Sequence, residues 1–485
     1  MIGLTRREFV ARAAGLTATL ALPSLRHAAK VAPTASVDPR IRALRNALRG
    51  PVITPMEPGY ANARLSFDGL YDGVHPLAIA QPVDAADVAT VVRWAQTTGV
   101  HIVARSGGHS YGGYSSTSGV VVDLSKLAGV HVAAGRVATG PGARLGNIYA
   151  TLDRHGVAIP AGTCPSVGIG GLVLGGGFGL ASRAWGLASD NLSSVQIVTA
   201  DGQILAADRN HHSDLYWACR GGGGGNFGIV TRLVFRTHPV AHGSYFVATW
   251  PWAQVEDVLG NYLHWAPTAP DALGSVCRLA TGPGGPTVQV FGQFLGDETR
   301  LRAALATLGP PAQKLVIGTS SWLDLVRRWA GCLGHTLPSC STPGHQLFVG
   351  ASDYIAKVPP ATRLADFKSV IDSRGASAGA LLIDAYGGAV NRLPPTATAF
   401  AHRDTLASIQ YFATGDAASA RAWVNASRAR LSHATSGAAY VNYIDPHLTN
   451  WQHAYYGRNL ARLRQIKRRH DPHNLFHFAQ SIRPA

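Results

Sequence analysis

Pro160-Ala161-Gly162-Thr163-Cys164-Pro165-Ser166-Val167-Gly168-Ile169-Gly170-Gly171, followed after Leu172-Val173-Leu174 by Gly175-Gly176-Gly177-Phe178-Gly179, is the stretch on which the reading of this chain turns. Glycine has no Cβ, so its backbone can approach another surface closely and its N–H groups can converge on an anion. The apolar residues between these glycines are too few to span a membrane. Repeated backbone approach to a flat or phosphorylated ligand accounts for the pattern better than a stacked structural turn. Upstream, Arg105-Ser106-Gly107-Gly108-His109-Ser110-Tyr111-Gly112-Gly113 forms a second tight loop with an imidazole at its centre. From residue type alone, a histidine that caps its own turn and one set against a ligand both remain open. Downstream, Gly221 to Gly225 and Asn226-Phe227-Gly228 make a third loop. Gly223, Gly225 and Gly228 match the spacing G-x-G-x-x-G, yet a strand follows where the dinucleotide motif needs a helix. NAD is therefore disfavoured, and three such loops suggest one long ligand threaded through them, such as an extended dinucleotide.

The surrounding texture is α/β or α+β. Ala78 to Gln81 reads as a strand, Asp84 caps a helix with apolar face Val88, Val91, Val92 and Ala95, and Gly99 ends it. Val100 to Ala104 and Val120 to Leu124 read as strands, and Leu145 to His155 as a helix closed by Gly156. A hairpin crosses Asp201-Gly202, and Ile229 to His238 alternates as a strand. From about residue 241 glycines thin out, and strands such as Tyr245 to Trp250 and Thr287 to Phe294 alternate with helices. Tyr456, Leu460 and Leu463 share a helical face that Asp471-Pro472 stops. Residues 31–64 read as a Pro- and Ala-rich linker and lead-in with a short basic helix, Ile41 to Leu48.

With 485 residues, 46% hydrophobic and 14% charged, the chain is globular and large enough for two domains. Arg6-Arg7 and Phe9 precede the Ala-rich run Val10 to Leu25, so residues 1–30 read as a twin-arginine-type signal peptide cleaved near Ala28 or Ala29. That run is too short and too interrupted for a stable membrane span. The expected location is secreted, periplasmic or cell-envelope, by way of the twin-arginine export machinery. The formal charge is +16; no nucleic-acid motif accompanies it, and a solvated basic face is the plainer reading. Of five cysteines, Cys332 and Cys340 could pair across a short loop, Cys219 and Cys277 sit in apolar contexts, and Cys164 is the odd one.

Taken together, R-S-G-G-H-S-Y from Arg105, the Gly162–Gly179 run, W-G-L-A-S-D-N from Trp185, G-G-G-G-N-F-G-I-V-T from Gly222 and the closing Tyr440-Val441-Asn442-Tyr443-Ile444-Asp445 … Asp471-Pro472-His473-Asn474-Leu475-Phe476 resemble the berberine bridge enzyme-like FAD oxidases. These belong to the vanillyl-alcohol oxidase, or PCMH-type, FAD-binding superfamily. The resemblance spans residues 65–485. It implies an α+β fold with a PCMH-type FAD-binding domain over residues 65–240. A substrate domain of antiparallel sheet backed by helices would cover 241–438, and a closing segment, 439–485, would return to the first. It implies bicovalent FAD, 8α-linked to His109 and linked at C6 to Cys164. Arg105, Ser106, Gly107, Gly108, Ser110, Gly168, Gly170, Gly171, Gly175, Gly176, Gly177, Asp190, Gly228 and Ile229 would line the cofactor.

By the same resemblance, Val167 would admit molecular oxygen to the reduced flavin, making the protein an oxidase that releases hydrogen peroxide. Oxidising a hydroxyl carbon needs a base while hydride passes to flavin N5. Tyr443 matches the tyrosine of sugar-oxidising relatives, with Asp384 or Tyr386 as its partner; a basic tyrosine would need nearby positive charge or a hydrogen bond to lower its pKa. The alkaloid-cyclising branch uses a glutamate, and Ala389-Val390-Asn391-Arg392 offers none. Sugars, oligosaccharides or glycosylated metabolites are the expected substrates. A dehydrogenase using another acceptor and a non-catalytic flavin-bearing envelope protein are the alternatives. His470, His473 and His477 belong to the closing motif, and no metal is expected.

Overall fold

The computed structural model describes residues 37–335, Cys340 and residues 345–485. The twin-arginine-type segment, residues 1–30, lies outside the described residues. Asp38–Ala485 form one compact unit, built on three main sheets in an α+β arrangement.

The first sheet orders its strands Val52–Ile53, Ala78–Ala80, Val120–Asp123 and Ile102–Arg105, the last three parallel. Val120–Asp123 is buried throughout, as a strand covered on both faces should be. The helix Ala85–Thr98 begins where expected: the Asp84 carboxylate accepts from the Ala86 and Asp87 amides, each at 3.0 Å. Its face Val88, Val91, Val92 and Ala95 is fully buried, each larger side chain contributing about 1.5–3 kcal/mol. The lead-in is more structured than a linker. Its helix Pro39–Ala47 buries Ile41 and Leu44, and Val52–Ile53 supplies the sheet's edge.

The second sheet is antiparallel and runs Val130–Ala133, Arg136–Thr139, Ile229–Arg236, Leu192–Val198, Ile204–Ala207. A strand does follow Gly228. The glycine stretch read as pure loop also contains a short helix, Ile169–Leu174.

The third sheet has seven antiparallel strands, in the order Lys314–Ser321, His242–Trp250, Thr287–Phe294, Leu273–Thr281, Gly379–Ala385, Ala407–Thr414, Phe348–Ile355. Side chains alternate between faces. Cys277, Leu279, Leu381, Ile383, Ile409 and Tyr411 join one core with residues of helices Val255–Thr268, Ala361–Asp372 and Ala417–Leu431. The intervening Val276, Arg278, Leu382, Asp384, Gln410 and Phe412 face the other way and line a cavity. Hydrophobic alternation on this sheet thus creates the wall of the site.

The C-terminal segment closes the unit. Lys467, fully buried in helix Leu460–His470, donates at 2.6 Å to Asp471 and to the carbonyls of Asn226 and Phe476. Cys332 and Cys340 form a disulfide; Cys219 and Cys277 are buried free thiols whose pKa burial pushes up. Among the described residues no helix is long and apolar enough to cross a membrane.

Candidate active site

Where strand Ile102–Arg105 ends, the His109 loop meets the Cys164 loop backbone to backbone. A Cβ on Gly107 would collide with the Gly168 amide, and one on Gly168 with the Ser106 hydroxyl, so only glycine allows the approach. This contact sets His109 and Cys164 around one hydroxyl. Ser166 Oγ lies 3.0 Å from His109 Nε2 and 3.5 Å from Cys164 Sγ. The imidazole stacks on Phe67 at 3.9 Å between centroids. Burial, reinforced by the Arg144 charge, depresses its pKa to about 3, so His109 is neutral at physiological pH.

Both residues line a cavity of about 680 Å³ between the glycine loops and the seven-stranded sheet. Ser106, Gly107, Gly108, Ser110, Val167, Gly168, Gly170, Gly171, Gly228 and Ile229 line it too, as do Tyr443 and Asp384. Five other expectations for the cofactor and one for catalysis need correcting. Arg105 turns away: its guanidinium pairs with Asp123 at 2.9 Å and bonds the carbonyls of Ala63, Arg64 and Leu65, fastening the lead-in to the sheet. Asp190 spends both oxygens on the buried Arg403, at 2.7 and 2.8 Å. Gly175, Gly176 and Gly177 are not cavity residues; they pack against Asn442, Phe400 and Ala188. Gly177 takes φ +82° and donates to the Tyr440 hydroxyl at 2.8 Å. Tyr386 is buried behind the wall, stacked on Phe178 at 4.8 Å with its hydroxyl 3.4 Å from that of Tyr354. Of the two partners expected for Tyr443, Asp384 is the one on the cavity lining.

The two groups differ in their electrostatics. Burial raises the Tyr443 pKa well above its ordinary value, and Tyr111, Asp384, Tyr440 and Tyr386 push it further up. The positive neighbour that a basic tyrosine needs is not among these influences, so Tyr443 stands as a protonated phenol. Its ring stacks on Tyr111 at 5.1 Å and meets Tyr440 edge-on. Asp384 sits on the sheet beside Ser408. Burial lifts its pKa to about 7, against a lowering hydrogen bond from Ser408. A carboxylate poised near neutrality is suited to general-base work.

The third glycine loop, read from the sequence as a ligand loop, does reach the cavity through Gly223 to Gly225. Sequence reasoning passed over three other contributors. Ser166 bridges His109 and Cys164. Tyr111 accepts from Gln410 at 2.7 Å, coupling the His109 loop to the sheet; its place two residues after His109 was the available signal. Asn442 bonds the Leu172 carbonyl and the Tyr440 hydroxyl at 2.9 and 2.8 Å, holding the glycine stretch from behind.

Comparison with known proteins agrees with this geometry. Residues 76–208 match a family described as "FAD binding domain" and residues 439–483 one described as "Berberine and berberine like". The uncharacterized FAD-linked oxidoreductase YgaK of Bacillus subtilis is 33% identical over 90% of this chain and 97% of its own. The chain belongs to the berberine bridge enzyme-like FAD-linked oxidoreductases. Another family relative, the chitooligosaccharide oxidase of Gibberella zeae, is 33% identical over 87% of this chain and 89% of its own. The solved structure of BBE-like 1 from Physcomitrella patens superposes with a TM-score of 0.85 at 31% identity, covering 91% of this chain and 98% of its own. Two variants of Phl p 4 superpose at 0.85 and 0.83, both 26% identical and covering 92% of this chain and 100% of theirs. One is a glucose dehydrogenase; the other, with an added isoleucine-to-valine change, is a glucose oxidase.

This berberine bridge enzyme-like protein is an FAD-dependent oxidoreductase, and its residues suit the cofactor. Glycine backbone borders the cavity on three loops, and the buried Ser115 hydroxyl on its lining has no protein partner. Such a group calls for a polar ligand, because an unmade buried hydrogen bond costs about 1–3 kcal/mol.

Proposed function

We propose that this enzyme is an exported oxidase that removes hydride from a hydroxyl-bearing carbon of a sugar, oligosaccharide or glycosylated metabolite, with FAD bonded to both His109 and Cys164. The observation that carries the catalytic part is Asp384, a carboxylate with a pKa of about 7 on the cavity wall that also presents Tyr443. Asp384 accepts the hydroxyl proton as the carbon is oxidised. Tyr443, protonated, donates to the substrate oxygen and orients it, while its stack on Tyr111 fixes the ring. His109 is suited to forming a covalent bond because its imidazole is neutral, and Ser166, 3.0 Å from Nε2, fixes its orientation on the cavity lining. Cys164 is an exposed free thiol on the same lining.

Held by His109, Cys164 and the glycine loops, FAD would supply the hydride acceptor, with O₂ as the final oxidant and hydrogen peroxide as its product. Val167 on the cavity lining supports the oxidase assignment through the family resemblance, in which valine after the cysteine motif goes with oxygen access; among the solved relatives, a Phl p 4 variant with an isoleucine-to-valine change is a glucose oxidase. The chitooligosaccharide and xylooligosaccharide oxidases among the relatives support the substrate class. The twin arginines at residues 6 and 7 support export of the folded, cofactor-loaded protein.

The test is a panel of mono- and oligosaccharides scored for anaerobic flavin bleaching and, in air, for peroxide. Bleaching with stoichiometric peroxide is expected. Good dye reduction without peroxide would convert the assignment to a dehydrogenase, and a flavin that no member bleaches would refute the sugar-oxidase reading.

A further inference from the structure

Arg278 stands on the seven-stranded sheet, on the cavity side of strand Leu273–Thr281, and is accessible to solvent. Among the described residues it is the only lysine or arginine on the cavity lining. Its side chain makes no hydrogen bond, ion pair or ring contact among the described residues. Its pKa is lowered by burial alone, with no carboxylate to offset that loss of hydration. Asp384 shares the wall, but neither group appreciably shifts the other. Water reaches this guanidinium, and with no protein group pairing it, its donors are free to meet an anion that enters the cavity.

The neighbours say what kind of anion. Val276, two residues earlier, is paired across the sheet with Asp384 on one side and Phe291 on the other. Arg278 therefore lies one pleat from the row containing the base, about 7 Å along the strand, the scale of one sugar ring and its substituents. Phe291 stacks on Trp329 at 5.3 Å, and the Trp329 indole donates to Gln293 at 3.0 Å. Both rings line the cavity, giving a fixed aromatic surface for the apolar face of a pyranose.

We infer that Arg278 is a specificity-determining residue that selects acidic sugars, pairing with a uronic carboxylate while the ring rests on Phe291 and Trp329. A carboxylate edge fits the planar fork of arginine with two parallel hydrogen bonds. The inference rests on the sugar-oxidising reading above and names its substrate class. The basic chain as a whole would help draw an anionic polymer toward the enzyme.

The flavin-loaded enzyme and its Arg278→Gln and Arg278→Lys variants are titrated anaerobically with digalacturonate, lactose and a sulfated disaccharide. Flavin bleaching reports turnover, and perturbation of the flavin spectrum before bleaching reports binding. Wild type should favour digalacturonate over lactose, and Arg278→Gln should lower that ratio by about 10- to 100-fold. Arg278→Lys should restore part of it. Added salt should weaken digalacturonate and leave lactose unmoved. An unchanged ratio in Arg278→Gln overturns the inference, and a sulfated sugar preferred over digalacturonate overturns its carboxylate assignment. If no sugar bleaches the flavin, the sugar-oxidase reading fails separately. A digalacturonate spectral shift that Arg278→Gln abolishes would then still support Arg278 as an anion site, and no shift in wild type would overturn it.

Discussion

Replacing Asp384 by Asn removes one proton-accepting group while keeping its shape and a hydrogen-bonding route to Ser408. The folded-state pKa of Asp384 is about 7, against an ordinary value of 3.8. Two consequences follow from that difference. In wild type the ionised fraction grows as pH rises, so the flavin-reduction rate at limiting substrate should climb about tenfold per pH unit well below 7 and level off above it. Asp384→Asn should flatten that limb and slow reduction by about 10²- to 10⁴-fold at pH 8. Stability should move in the opposite sense. A carboxyl group whose pKa is raised on folding binds its proton more tightly in the folded state, so it costs nothing below about 4. The penalty grows as pH rises from about 4 to 7 and is complete above 7. Three pKa units at about 1.4 kcal/mol each set an upper bound of about 4 kcal/mol, reduced by water that enters the cavity. Asp384→Asn should therefore gain stability over wild type at pH 8 but not at pH 4. Anaerobic stopped-flow reduction from pH 5 to 9, with urea unfolding at pH 4 and 8, measures both. A variant that keeps its flavin spectrum and still shows a reduction midpoint near pH 7 would refute Asp384 as the base.

Tyr443→Phe should slow reduction by about 10- to 100-fold yet leave the midpoint near pH 7, because the phenol donates and does not titrate; a lost midpoint would return the base role to Tyr443. Acid-denatured mass spectrometry should show one FAD retained by wild type, by His109→Ala and by Cys164→Ala, and none by the double variant. Bare wild-type polypeptide would eliminate both linkages. Val167→Leu should suppress peroxide formation in air while sparing dye reduction, measured side by side on one substrate. Lys467→Met leaves Asp471 buried without its partner and should cost about 3–5 kcal/mol in denaturant unfolding; a loss below 1 kcal/mol would show that the pair contributes little.

The ligand-bearing part of the site was legible because glycine density is a backbone signal: Gly107 and Gly168 must be glycine for their loops to touch. The same signal misled at Gly175 to Gly177, where identical composition answers the bulk of Asn442, Phe400 and Ala188. Charge misled in a similar way. Arg105 opens one glycine-rich loop and Asp190 lies just beyond another, yet their partners, Asp123 and Arg403, are 18 and 213 residues away, and only folding reveals that they are already paired. The protonation state of Tyr443 was illegible for a further reason: it depends on three other phenols and a carboxylate converging from separate segments.

The strands of the large sheet carried a cue that composition hides. In Val276-Cys277-Arg278-Leu279-Ala280 and Leu381-Leu382-Ile383-Asp384-Ala385, apolar residues occupy both parities, so alternation alone does not say which face meets the helices. The single charged residue in each does. An antiparallel strand apolar on both faces is covered on both, and a charge within it needs a partner. Here two adjacent strands each place one charge on the same face, and that face lines the cavity. Asp384 is held by a hydrogen bond from Ser408, whereas the Arg278 side chain has no partner among the described residues, so of the two it is the arginine whose charge the fold leaves open to a ligand.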